Sequence, residues 1–293
     1  MIIVTGPTGN TGKQIVHGLK KRNIPFTALV RSDARAKELA AQGVPTVIAD
    51  FENVDSLKKA LSGAIKAYLV CTPDERLARC EQNFIRAARH VGLRHIVKCG
   101  AYGADAASPS PNLRLHAEAE AALIDSDISY TIIRPHGFMQ TFFAMSAQLV
   151  MEQGILRLPA GDGPMPLIDL RDVGAALLKA LIAPGHENRI YSLTGPQALT
   201  GQDMSAALSQ AFGRRITYVD SPLGELDALM RQLGVPDAPR NHVLWCFREQ
   251  RAGRLNYTSL EHNAFGLQLR TFADFANDLV AGTTGVAFSD FSH

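Results

Sequence analysis

Short apolar segments alternate with amphipathic ones through the first 135 residues. Met1–Thr5 is rich in β-branched residues and predicts a buried strand, and Ile15, Val16 and Leu19 then share one face of a predicted helix. Further strands are predicted over Pro25–Val30, Val44–Ala49, Ala67–Cys71, His95–Cys99 and Ser129–Arg134, with helices over residues 33–42, Val54–Leu61, Leu77–Val91 and Leu113–Ile124 between them. This alternation predicts an α/β fold, a Rossmann-type doubly wound parallel sheet with both faces covered by helices.

Beyond Pro135 the alternation is less regular. Helices are predicted over Phe138–Met151 and over residues 203–212, 223–234 and 272–282, and strands over residues 189–195 and 216–220. We therefore expect an NAD(P)-binding Rossmann domain over residues 1–150 and a smaller C-terminal substrate lobe of mixed α/β structure over residues 151–293, with some segments returning to the first domain. The last residues, 283–293, show no pattern and are predicted to be disordered.

Composition limits the classes of function. The 293 residues are 46% hydrophobic and 20% charged, with a net charge of +2, so no nucleic-acid-binding surface is indicated by bulk charge. The four cysteines form no CxxC pair and suit reduced thiols in the cytoplasm, and no metal site is expected. Apolar runs are too short to span a bilayer, so we expect no membrane association. The oligomeric state is left open between monomer and homodimer.

Three glycines follow the first strand at intervals of three residues. Gly6, Gly9 and Gly12 lie between a predicted strand and a predicted helix, the context in which a glycine turn binds a dinucleotide pyrophosphate. Positions without a side chain let the backbone approach the phosphates, and the N–H groups of the new helix stabilise their charge. The sequence thus predicts a cofactor site here.

The ends of the next strands carry candidates for the adenosine half of the cofactor. Arg31 follows the second strand, where an arginine accommodates the 2′-phosphate of NADP, or else is a solvated residue at the start of the next helix. Asp50 and Phe51 end the third strand. Asp50 either contacts the adenine amino group or is a turn aspartate. Cys71 and Cys99 end the fourth and fifth strands near the expected nicotinamide position, and Gly100 directly follows Cys99.

Candidate proton donors lie on the fifth helix and in nearby loops. His116 and Glu120 are four residues apart and share a helical face, as a catalytic pair or as a structural one. Tyr102 follows the fifth strand as a possible acid or an ordinary loop residue, and His136 follows the sixth strand, where it could donate or line a pocket. The apolar residues after it, Phe138, Met139, Phe142 and Phe143, suit either a core or a flat aromatic acceptor.

In these motifs the sequence resembles the NmrA-like branch of the atypical short-chain dehydrogenases. The matching segments are TGPTGNTG, LVRS, VKCG, IIRPHGFMQTFF, IDLRDVGAA and YSLTGP. The chain looks most like the type 2 quinone oxidoreductases and triphenylmethane reductases of that family, which use NADPH. The resemblance implies cofactor contacts from the following residues: Gly6, Thr8, Asn10, Thr11, Arg31, the loop Cys71, Thr72, Pro73, and the segment Pro135, His136, Gly137, Phe138.

One departure from the larger superfamily bears on mechanism. Its tyrosine and its lysine four residues later are replaced here by His116 and Glu120, and its serine after the fifth strand by Gly100. This departure argues against alcohol dehydrogenation. The related reductases of the family also lack that pair, and the resemblance to them implies an NADPH-dependent reductase of a quinone, dye or similar conjugated acceptor. The alternative is a regulatory protein that senses NADP(H) without turnover.

Overall fold

Nine strands and twelve α-helices make up the part of the chain that the computed structural model describes, residues 1–283. The strands are β1 (Ile2–Thr5), β2 (Phe26–Val30), β3 (Thr46–Ile48), β4 (Lys66–Leu69), β5 (His95–Cys99), β6 (Ser129–Pro135), β7 (Ile155–Leu158), β8 (Arg189–Leu193) and β9 (Thr217–Asp220). The predicted disorder of residues 283–293 falls, apart from Thr283, outside the described residues and stays a prediction.

The helices include those that the hydrophobic pattern predicted, except that the one predicted over Phe138–Met151 is divided in two. They are α1 (Asn10–Lys21), α2 (Asp33–Ala41), α3 (Val54–Leu61), α4 (Leu77–His90), α5 (Pro111–Ile124), α6 (Met139–Ala144), α7 (Ala147–Gln153), α8 (Leu170–Ile182), α9 (Gly201–Phe212), α10 (Leu223–Gln232), α11 (Asp237–Arg251) and α12 (Phe272–Val280), with a 3₁₀ turn at Glu261–Phe265.

Seven strands form the main sheet in the order β3-β2-β1-β4-β5-β6-β8. The strands from β1 to β6 pair in parallel, for example Ile3 opposite Thr27 and Ala67. The strand order reverses beside β1, and ligands of open α/β sheets bind at the carboxyl ends of the strands at such a point. The predicted α/β Rossmann-type fold is confirmed, with β8 as a seventh strand; the sequence predicted a strand over residues 189–195 but assigned it to no sheet.

The chain divides into two compact units. The first comprises Met1–Arg134 and Val173–Ser192, and the second comprises Pro135–Asp172 and the chain from Leu193 onward. In the first unit Ile3, Leu57, Phe84 and Ile96 belong to a core between the sheet and helices α3 and α4. The assignment of one part to the cofactor and the other to the substrate stays a prediction.

The second unit contains a two-stranded parallel sheet of β7 and β9 and its own apolar core. The sequence predicted one helix over Phe138–Met151, whereas the structure has α6 and α7 with a break between them. The hydroxyl of Ser146 explains the break, because it donates to the Ile155 carbonyl and accepts from the Arg157 N–H of β7. The strand β7 itself was not predicted.

Candidate cofactor site and its surroundings

The glycine turn between β1 and α1 is built from three glycines with different reasons for lacking a side chain. Gly6 has a φ of +54°, in the left-handed region that favours glycine, and a Cβ on it would lie 2.8 Å from Val70 Cγ1. A Cβ on Gly12 would lie 1.9 Å from the Gly6 carbonyl oxygen. These two glycines are required by the fold of the turn itself.

Gly9 differs from both. It precedes α1 with an ordinary extended backbone (φ −77°, ψ 172°), and the nearest atom to an added Cβ is the Gly6 carbonyl oxygen at 3.3 Å. This contact is close, but apart from the chain neighbours no other atom of the described residues lies within 4 Å of the added Cβ, so the polypeptide leaves space on the remaining sides of Gly9. A side chain there would fill that space, as expected where the backbone has to approach a pyrophosphate.

The start of α1 suits an anion. Gly9 offers no side-chain cap, the first turn contains no acidic residue, and the first helical backbone bond runs from the Lys13 N–H to the Gly9 carbonyl. The N–H groups of residues 10, 11 and 12 precede that bond, so the helix provides no acceptor for them. These N–H donors and the positive end of the helix dipole together favour phosphate binding at the start of α1.

Neighbouring residues fix this turn to the end of β4. The Thr5 hydroxyl accepts from the Val70 N–H at 2.8 Å and donates to the Val70 carbonyl at 3.0 Å. The loop Cys71, Thr72 and Pro73 begins directly after these bonds, so the structure brings it beside the glycine turn. Burial raises the pKa of the Cys71 thiol well above its ordinary value, which keeps that thiol protonated.

Side chains of two predicted cofactor residues face the protein interior instead. The Tyr68 hydroxyl donates to Thr11 Oγ1 at 2.6 Å in a buried environment. Cys99 is buried beside this pair, and burial raises the pKa of its thiol to about 11. Only the backbone groups of Thr11 and Cys99 are therefore suited to contact a ligand. Thr8 is half-buried and Asn10 is exposed, so both side chains reach the surface.

The structure places Arg31 at the carboxyl end of β2. It is exposed, and it precedes Ser32, whose hydroxyl accepts from the Arg35 N–H to cap α2. Partial burial raises the pKa of Asp74, but hydrogen bonds from Arg76 and the charges of Arg76 and Arg31 outweigh it and lower that pKa. Arg31 and the loop after β4 thus lie at the same edge of the sheet.

The end of β3 has a local role. The Asp50 carboxylate accepts from the Glu52 N–H at 2.9 Å, as a turn aspartate does, and the Phe51 ring stacks on Phe84 with centroids 5.7 Å apart. Asp50 is exposed and Phe51 is half-buried. The turn interpretation of Asp50 therefore has direct structural support, and its contact with adenine stays a prediction.

Glu120 has a partner that the sequence did not reveal. Its Oε2 accepts from Arg134 Nε at 2.9 Å and from Arg134 Nη2 at 2.5 Å, so α5 is tied to β6. A Cβ on Gly100 would lie 2.3 Å from Glu120 Oε1, which explains the glycine after β5. His116 is buried one turn earlier on α5, and Tyr102 is half-buried in the loop after β5. Their predicted catalytic roles stay predictions.

A fully buried ion pair joins β5 to α4. Lys98 Nζ on β5 and Glu81 Oε2 on α4 are 2.6 Å apart, and both side chains are fully buried. Burial raises the pKa of Glu81, while the Lys98 charge opposes this. The sequence did not predict this pair. A signal was available, since Glu81 shares the apolar face of α4 with Leu77, Phe84 and Ala88.

The segment after β6 is held by its own unit. The His136 N–H donates to the Leu193 carbonyl at 2.8 Å, and Phe138 bridges to Ile168. Pro135 and His136 are buried, whereas Gly137 and Phe138 are half-buried. Met139, Phe142 and Phe143 belong to the core of the second unit, which supports the core interpretation of that apolar cluster.

The model of the NmrA-like family matches residues 1–253. The chain belongs to the NmrA-like family. It is 37% identical to NAD(P)H azoreductase from Xenophilus azovorans, over 94% of this chain and 96% of that protein. Its fold is similar to the NADPH complex of the NADPH-dependent quinone oxidoreductase 2 from Escherichia coli, with a TM-score of 0.83, 30% identity and coverage of 95% and 99%. It is also similar to the Citrobacter sp. triphenylmethane reductase complexed with NADP(H), with a TM-score of 0.84, 26% identity and coverage of 96% and 100%.

The described residues contain neither a candidate membrane span nor a candidate metal cluster. Within residues 1–283 no helix is long and apolar enough to cross a membrane. In the same part of the chain, no group of three or more histidine, cysteine or acidic residues could hold a metal ion.

Proposed function

We propose that this member of the NmrA-like family is an NADPH-dependent reductase that transfers hydride to a quinone, a dye or a similar conjugated small molecule. The observation that carries the proposal is the space in front of Gly9 at the uncapped start of α1. The names of its relatives, an azoreductase, a quinone oxidoreductase and a triphenylmethane reductase, indicate the same class of acceptor.

Different residues of this chain bind different parts of the cofactor. The N–H groups that begin α1 bind the pyrophosphate, with Gly9 leaving room for it, and Arg31 pairs with the 2′-phosphate. The bound cofactor supplies the hydride, and the protein orients it. The loop after β4 and the segment from Pro135 to Phe138 are the candidates for positioning the nicotinamide. His116 stays the candidate proton donor.

We further propose a cellular location and a class of partner for this protein. All four cysteines are free, as suits a reducing compartment, and a cytoplasmic location remains our expectation. The partner is a small-molecule acceptor, and the choice between monomer and homodimer is left open.

An Arg31→Ala variant tests the cofactor assignment. A charge-assisted hydrogen bond to the 2′-phosphate contributes about 1.5–3 kcal/mol, so the variant should lose roughly tenfold to a hundredfold of its NADPH affinity and keep its NADH affinity. Titration calorimetry with both cofactors measures this. Arg35→Ala is the matched control, because Arg35 lies one turn further along and pairs with Glu38 on the surface.

Two outcomes would contradict the proposal in different ways. Equal NADPH and NADH affinities in wild type, or an unchanged ratio in Arg31→Ala, would remove Arg31 from the site. Binding of NADPH without its oxidation in the presence of quinones or dyes would instead favour the sensor alternative.

A further inference from the structure

The loop of residues 71–76, between β4 and α4, belongs to the second half of the sheet. The order β3-β2-β1-β4-β5-β6 is that of a doubly wound sheet in which each set of three strands binds one mononucleotide of a dinucleotide cofactor. The glycine turn and Arg31 follow β1 and β2, so the first set is the one proposed to hold the adenosine half. The β4–α4 loop follows the first strand of the second set and therefore belongs to the nicotinamide half.

Hydrogen bonds within the β4–α4 loop shape its turn. The Asp74 N–H donates to the Thr72 carbonyl at 2.8 Å, and the Leu77 N–H donates to the Asp74 carbonyl at 3.0 Å. The Arg76 N–H donates to Asp74 Oδ1 at 2.8 Å. These bonds connect residues only a few positions apart, so they give the loop a local shape but do not fix its place on the sheet.

The ion pair between Glu81 and Lys98 attaches the loop to the next strand. Glu81 lies one turn into α4, the helix that continues from the loop, and its Oε2 is 2.6 Å from Lys98 Nζ on β5. The same ammonium group donates to the carbonyl of Cys99, the last residue of β5, over 3.3 Å. The pair thus fixes the start of α4, and with it one end of the loop, to the carboxyl end of β5.

The charges of the pair are supported by groups around it. Burial lowers the pKa of Lys98, but the charges of Glu81 and Glu120 outweigh this effect and raise that pKa, so the ammonium group stays charged. Burial raises the pKa of Glu81, and the Lys98 charge and the backbone N–H of Cys71 both oppose this shift. The first peptide group of the β4–α4 loop therefore lies close to the Glu81 carboxylate.

Stability alone does not account for an ion pair at this position. Both side chains are fully buried, and replacement of such a pair by apolar residues of similar volume is often neutral or stabilising. What the pair provides is direction, because charged groups hold polar backbone groups at defined distances, whereas apolar contacts are non-directional. A binding loop that must keep one geometry needs support of this kind.

We propose that Glu81 and Lys98 are positioning residues that hold the β4–α4 loop in the conformation that binds the nicotinamide half of NADPH. This inference rests on the proposed function. Because both side chains are fully buried, they act through the backbone of the loop and not by contact with the cofactor. Without them the loop would have to be ordered during binding, which lowers affinity, and the nicotinamide would be held less accurately, which lowers turnover.

The experiment compares NADPH with 2′,5′-ADP, which contains the adenosine half and lacks the nicotinamide. Calorimetry gives both affinities for Glu81→Leu combined with Lys98→Met, a double variant that leaves no charge in the interior. Its NADPH affinity should fall roughly tenfold and its kcat with 1,4-benzoquinone roughly tenfold to a hundredfold, with the 2′,5′-ADP affinity within about twofold of wild type. A role in stability alone would not change the ratio of the two affinities.

Two further variants make the test specific. Glu81→Gln combined with Lys98→Met keeps an oxygen beside the Cys71 N–H and should recover much of the NADPH affinity. Arg89→Ala, in the exposed last turn of the same helix, is the control and should bind both ligands like wild type. In cofactor-free wild type, amide hydrogen exchange in residues 71–76 should be at least about tenfold slower than in an unstructured chain, which requires no variant to fold.

Other results would overturn the inference and leave the proposed function standing. These are equal losses of NADPH and 2′,5′-ADP affinity, unchanged NADPH affinity in the variant with Glu81→Leu, no recovery with Glu81→Gln, or unprotected amides in residues 71–76 of wild type. If wild type binds NADPH without reducing any acceptor, the reductase function fails, and the ratio of affinities still decides the role of the pair. If wild type binds neither NADPH nor 2′,5′-ADP, both proposals fail.

Discussion

A Gly9→Val variant should fold like wild type and lose NADPH binding. The backbone at Gly9 is in an extended conformation that valine adopts readily, and an added Cβ would make one close contact, 3.3 Å from the Gly6 carbonyl oxygen, which a shift of a few tenths of an ångström relieves. The new side chain would instead occupy the space in front of the first N–H groups of α1. If two hydrogen bonds to the phosphates are lost, at about 1.5–3 kcal/mol each, NADPH affinity should fall by about 100-fold or more.

Gly12→Val provides the matched contrast. A Cβ on Gly12 would lie 1.9 Å from the Gly6 carbonyl oxygen, so this variant should be strongly destabilised rather than selectively defective in binding. Thermal unfolding by circular dichroism and NADPH titration by fluorescence distinguish the two defects. Normal NADPH affinity in Gly9→Val would mean that the pyrophosphate lies elsewhere.

A Lys98→Met variant should be among the least stable single variants of this chain. Lys98 and Glu81 are fully buried 2.6 Å apart, and removal of the lysine leaves a buried carboxylate without its counter-charge. Breaking a buried pair in this way costs about 3–5 kcal/mol, against a total unfolding free energy of about 5–15 kcal/mol for a typical protein. Urea unfolding gives the difference directly.

Two further variants make this prediction specific. Lys98→Met combined with Glu81→Leu should recover most of the lost stability, because no charge is then left in the interior. Arg89→Ala removes one side of the exposed pair between Arg89 and Asp127, 3.0 Å apart, and should cost less than about 1 kcal/mol. A double variant as unstable as Lys98→Met, or a Lys98→Met variant as stable as wild type, would contradict the prediction.

The cofactor half of the site was accessible from the sequence because it depends on local geometry. A strand, a glycine turn and a helix are consecutive in the chain, so Gly6, Gly9 and Gly12 are placed by the elements on either side of them. Arg31 was accessible for the same reason, since it directly follows β2. These positions require no knowledge of what packs against them.

The candidate catalytic residues depend on contacts between distant parts of the chain. Helical spacing put Glu120 beside His116, but the residue that holds its carboxylate is Arg134, fourteen positions away on a neighbouring strand. The tautomer of His136 follows from a backbone conformation that places the Gly137 N–H against Nδ1. Neither contact can be predicted from the periodic pattern of hydrophobic residues in the sequence.

The sequence by itself determined the order of strands and helices in the first 135 residues, the α/β class and the position of the glycine turn. Hydrophobic periodicity and glycine geometry encode these features within a few neighbouring residues. Only the tertiary structure decided that β8 joins the sheet, that Ser146 interrupts the predicted helix, and that Lys98 is paired inside the first unit. Each of these three features depends on a partner residue that is distant in sequence or outside the local periodic pattern. Such partners meet only when the chain has folded, because buried polar and charged groups then need hydrogen bonds and counter-charges.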